Sequence, residues 1–99
     1  MSAASDEEPV IAVAWYKPSQ WERLEEIAPD IKEIWDSYEQ WHMAAARRLA
    51  ELKRQGRRAE KILLDVEELL QWCQANGREA DITARAEFAA RKLAEQEGA

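Results

Sequence analysis

Val10-Ile11-Ala12-Val13-Ala14-Trp15-Tyr16 is the stretch on which the fold turns. It is apolar without a break and rich in β-branched and aromatic side chains, and Pro18 closes it, the pattern of a buried strand rather than a short helix. Continuous rather than alternating hydrophobicity means that both faces of the strand need cover, from the chain's own helices or from another subunit. At seven residues the run is far short of the ~20 that cross a bilayer.

Downstream, Ser19 and Glu22 fit a capping box, and Trp21, Leu24, Ile27 and Ala28 make one apolar stripe that Pro29 ends. A helix is expected over about 20–28. Asp30 and Glu33 repeat the start signal. Ile31, Ile34, Trp35, Tyr38, Trp41, His42, Ala45, Leu49 and Leu52 then fall in one sector at 100° per residue, which predicts a single helix over 31–55 stopped by Gly56. Ala59–Leu64 reads as a second strand. Asp65 caps a helix over 66–75 with Val66, Leu69, Leu70 and Cys73 inward, and Asn76-Gly77 stops it. Asp81 or Thr83 caps a last helix running to about 95, with Ile82, Ala86, Ala89 and Leu93 inward, while Arg85 and Lys92, beside Phe88, are expected to snorkel over apolar surface in preference to pairing with an acid. The expected fold is α+β and predominantly helical, in the order β-α-α-β-α-α, with two short strands packed on a long central helix. Residues 9–97 form one domain behind an acidic tail, 1–8.

Composition sets limits on function. The 99 residues are 46% hydrophobic and 34% charged with three Gly and three Pro, too apolar for a disordered chain and too charged for a membrane one. Two cores would each fall near the ~40-residue limit for independent folding, so one is expected. A net charge of −6 repels phosphate backbones and anionic membranes. The lone Cys73 fits a reducing compartment, and the acidic start MSAASDEEP does not read as a signal peptide, so a cytoplasmic location is expected. One His and one Cys without ligand spacing point to no metal and no cofactor. His42 is expected as a core or half-buried imidazole bonded to a carbonyl or to Tyr38. Cys73, on an inner stripe, is expected as an inert thiol, so neither suggests an enzyme.

Two features suggest surfaces. Residues 47–61 carry +5 against −11 for the remainder, and Arg47, Arg48, Arg54, Arg57, Arg58 and Lys61 are the candidate phosphate or nucleic-acid contacts. Acidity overall and the absence of aromatics between residues 42 and 71 disfavour nucleic acid, leaving a solvated helix end with salt bridges as the simpler expectation. Five tryptophans are many for this length, and Trp72, Met43, Trp41 and Phe88 are the candidate protein interface. Two strands alone are marginal, so either the helices supply most of the stability or a second subunit extends the sheet, and a homodimer is expected on the latter. The function that follows is a non-enzymatic protein-interaction module, a homodimer or a binder of another protein, working through aromatic surface near Trp72 or the free edge of the first strand.

Overall fold

Ile11–Trp15 is extended as its residues dictate (β1) and pairs in parallel with Ala59–Leu63 (β2), Ile11 opposite Ala59 and Trp15 opposite Leu63. The structure, a computed structural model, describes residues 9–98, so the tail expected over 1–8 lies outside the described residues. The fold is α+β and 64% helical, with two short parallel strands. Parallel neighbours need a crossover, and here it consists of a 3-10 turn, Pro18–Gln20, and three helices, α1 (Trp21–Ile27), α2 (Ile31–Ile34) and α3 (Tyr38–Arg54). After β2 come α4 (Val66–Ala75) and α5 (Ile82–Gly98).

The cover that a continuously apolar strand requires comes from the chain itself. On one face Val13 is buried with Ala59 beneath Leu49 and Leu52 of α3. On the other, Ala12 and Ala14 pack with Ile62 into the main core, which holds Ala84, Phe88, Ala89 and Leu93 of α5, Leu69 and Cys73 of α4, and Leu24 and Ile31 of the crossover. Alanine at both positions lets α5 approach the strand closely.

The helix expected over 31–55 is two. Trp35 and Ser37 are extended, and Ser37 is the cap of α3: its Oγ accepts from the Gln40 N–H at 3.1 Å, while Gln40 Oε1 accepts from the Asp36 N–H at 2.6 Å. Serine followed three places on by glutamine is the capping-box pattern, here with the glutamine reaching the N–H one residue before the cap, and the break lets the Tyr38 hydroxyl donate to the Tyr16 carbonyl at 3.0 Å. Ser37→Ala is expected to cost about 1 kcal/mol, and denaturant unfolding followed by circular dichroism measures it.

The box expected at Ser19 does not form. Pro18 opens the 3-10 turn instead, and Gln20 Oε1 accepts from the Val66 N–H at 2.7 Å, which ties the start of α1 to the start of α4. Asp65 caps α4 through the Glu67 and Glu68 N–H groups at 2.8 and 3.2 Å, and Asp81 rather than Thr83 caps α5 through Ala84 N–H at 2.9 Å. Gly56 and Gly77 follow α3 and α4 at φ of +79° and +62°, the left-handed stop that an L side chain resists.

The inner face of α5 is turned from the expected one. Ala84, Arg85, Phe88, Ala89 and Leu93 are buried, whereas Ile82 is 62% exposed and Ala86 is also exposed. Arg85 does not snorkel. It is buried, its Nη1 donates to Asp30 Oδ1 at 2.7 Å and to the Ala80 carbonyl at 2.8 Å, and its Nη2 donates to Asp30 Oδ2 at 3.3 Å. Asp30, expected as a helix cap, makes no cap bond and serves this guanidinium instead. Lys92 pairs with Glu68 of α4 at 3.2 Å.

Candidate functional site

In a parallel ladder alternate residues of a strand bond one neighbour, and the residues between them bond the other. The Ile11 N–H donates to the Arg58 carbonyl at 2.8 Å and the Trp15 carbonyl accepts from Leu64 N–H at 2.9 Å, so Ile11, Val13 and Trp15 serve β2. The N–H and C=O groups of Ala12 and Ala14 therefore point away from β2. Among the described residues none of these groups has a hydrogen-bond partner, and a groove of about 590 Å³ runs along this edge.

The groove has a strand for its floor and helices for its walls. Ile11, Ala12, Val13 and Ala14 lie along the floor, Ala44, Ala45 and Arg48 of α3 form one wall, and Ile82, Arg85 and Ala86 of α5 form the other. The exposed side chains of Arg48, Ile82 and Ala86 line it, so the edge forms a recess between the two helices. Tyr16, Ile31, Trp35 and Trp41 close one end with aromatic and aliphatic surface. The Arg85–Asp30 pair fixes this architecture, since it fastens α5 to the junction of α1 and α2.

Tyr16 also lies at this end. Its hydroxyl is buried and has no hydrogen-bond partner among the described residues. Burial pushes its pKa up to about 12, with nearby Arg85 acting in the opposite direction and Asp30 in the same one.

The basic window stays on the surface, and its members differ in surroundings. Arg54 pairs with Glu51, and Lys61 Nζ stands 4.7 Å over the Trp15 ring. Arg47, Arg48 and Arg57 line a shallow second concavity of about 560 Å³ with Glu51 and Gln55, and Ala44 and Arg48 belong to both hollows. Arg58 is exposed, and its carbonyl serves the ladder.

The aromatic interface candidates are placed otherwise than expected. Trp41 and Phe88 are 7% and 6% exposed and so belong to the core, not to a surface. The Trp41 ring is surrounded by Trp15, Tyr16, Trp21 and Tyr38 at centroid distances of 5.2–5.6 Å, a cluster that uses up most of the tryptophan content. Trp72 is half-buried against Phe88 at 5.4 Å, with Arg78 and Arg91 over its ring at 5.4 and 6.0 Å. Met43 is 60% exposed, a single apolar side chain.

His42 is exposed rather than in the core or half-buried, with its ring beside Trp15 and Tyr38, and the Tyr38 hydroxyl, one of the two partners expected for it, donates to the Tyr16 carbonyl. Cys73 is buried, and burial raises its thiol pKa. Among the described residues no group of three or more His, Cys, Asp or Glu side chains is placed to hold a metal ion, and no helix is long and apolar enough to cross a membrane. No protein-family description, no curated protein and no solved structure matches the chain.

Sequence reasoning ranked snorkelling above an acid partner for Arg85, did not name Asp30, and missed the walls of the groove. Only the strand's free edge was a signal, because a run apolar on both faces says that helices cover the faces and leaves the edges unassigned.

Proposed function

We propose that the chain is a non-enzymatic protein-interaction module that accepts an extended segment of another protein as a third strand on the open edge of β1. One observation supports this above all: the unpaired backbone groups of Ala12 and Ala14 face a groove of about 590 Å³ with largely apolar walls, the setting that strand addition uses. Main-chain bonds to these groups supply affinity, and the walls of α3 and α5 select side chains.

The recess bears on who donates the segment. Two copies meeting strand to strand would have to bring the α3 and α5 walls of each against one another to reach the ~4.8 Å of a ladder. Among the described residues the only strands, β1 and β2, are already paired with each other. Another protein is therefore the donor in this reading, in place of the self-association expected from the sequence.

Peptides selected from a displayed random library, with affinities measured by fluorescence polarisation, test the reading through Ala14→Pro. Proline removes an N–H that points away from β2, so the native ladder survives, while the donor to an incoming strand is lost. Selected peptides are expected to bind this variant at least tenfold more weakly, with its far-ultraviolet spectrum unchanged. Equal affinity, or a selection that enriches no peptide, would overturn the proposal.

A further inference from the structure

We infer that the partner strand carries carboxylates at the end lying where β1 begins, so that the module recognises an acidic extended segment; this rests on the strand-addition reading above. The two ends of the groove differ in chemistry, and the packing of α3 shows which is which. Near the start of α3, Trp41 packs on Trp15 and Tyr16, while Leu49 and Leu52 near its end pack with Val13 and Ala59, the partner of Ile11. The helix thus runs opposite to β1, and Arg48 stands toward the start of the strand. The far end, at Tyr16 and Trp35, is aromatic.

Arg48 has no ion-pair or hydrogen-bond partner among the described residues, nor has Arg47, the next residue on the neighbouring concavity. They stand out in a chain whose net charge is −6, where other cations such as Arg23, Arg78, Arg85 and Lys92 already face carboxylates. A segment leaving the groove at this end passes Arg48 and enters the second concavity, so carboxylates two to four residues beyond the paired stretch meet both guanidiniums. Arginine forms two-pronged bonds to a carboxylate, which gives register as well as attraction. The apolar portion of the segment lies against Ala12, Ala14 and the helix walls.

The same displayed library supplies the probe. Enriched peptides are expected to place Asp or Glu beside an apolar stretch. Replacing those acids by Asn or Gln should weaken binding to the wild-type protein about tenfold, and Arg48→Glu should weaken binding of the acidic peptide as much while leaving the neutral one unaffected. Raising salt from about 0.05 to 0.5 M should weaken only the acidic peptide. Arg48 is exposed, so the variant is expected to fold, and its melting curve checks that. Neutral or basic consensus peptides whose affinity ignores Arg48→Glu would sink the acidic partner, and if Ala14→Pro still abolished their binding, strand addition would stand. Loss of both dependences would remove the two readings together. A dimer in light scattering that the peptide dissociates would give the groove to a second copy. Arg48-dependent binding of a 20-nucleotide single strand tighter than that of any peptide would give this end to nucleic acid, and either result overturns the proposal.

Discussion

Asp30→Ala is expected to destabilise the protein by about 3 kcal/mol, the low end of what breaking a buried ion pair costs. The Arg85 side chain is 7% exposed and, without Asp30, keeps one protein acceptor, the Ala80 carbonyl. Its guanidinium cannot shed its charge, so the uncompensated cation bears most of the penalty. The low end applies because the Asp30 side chain is 24% exposed and water can reach the place it vacates. At roughly 4–8 °C per kcal/mol for a domain of this size, the melting temperature should fall by more than 10 °C. Arg85→Met should cost less, since Asp30 can be solvated and the methionine fills apolar space. Urea titrations of both single variants and the double variant give the coupling directly. A loss below 1 kcal/mol for Asp30→Ala would show that the pair does not hold α5 to the crossover.

Alkaline pH is expected to act through Tyr16. Its ordinary pKa near 10 describes the unfolded chain, and burial holds the folded value at about 12. The folded state thus favours the protonated phenol. Its contribution to stability is fully present below pH 10 and is lost as pH rises through 12. Two pH units correspond to roughly 2.7 kcal/mol. Tyr16→Phe should remove that share of the alkaline decline, while other groups titrating in the range contribute equally to both proteins. At neutral pH the same variant should change stability by no more than about 1 kcal/mol, because the buried hydroxyl it deletes makes no full hydrogen bond but stands beside the Arg85 guanidinium. Urea midpoints of the two proteins at pH 8, 10, 11 and 12 measure both effects, and parallel curves would overturn the assignment.

The sequence made legible what local chemistry decides. The cover of β1 on both faces, the caps at Asp65 and Asp81 and the stops at Gly56 and Gly77 each depend on a few neighbouring residues. What stayed hidden depends on distant partners or on a break that preserves periodicity. The apolar sector from Ile31 to Leu52 continues through Trp35–Ser37, so only the Ser37–Gln40 pair marks the interruption. Arg85 reads as a base that snorkels over apolar surface or pairs with an unnamed acid until Asp30, far away in the chain, is seen beside it. For the site, exposure of the basic window followed from its charge, but the aromatic residues did not mark a surface. Trp41 and Phe88 spend their area in the core, which a count of tryptophans cannot distinguish from an interface.

The groove is assembled from β1, α3 and α5, three parts of the chain that touch only once the sheet has closed and the last helix has docked. An unfolded or partly folded chain therefore offers nothing for a partner to hold, and occupancy and folding become one linked equilibrium. A partner present at a hundred times its dissociation constant adds about 2.7 kcal/mol to the stability of the native state. For a small domain that is a large fraction of the total, so under the strand-addition proposal the concentration of partner would set how much of this chain stays folded.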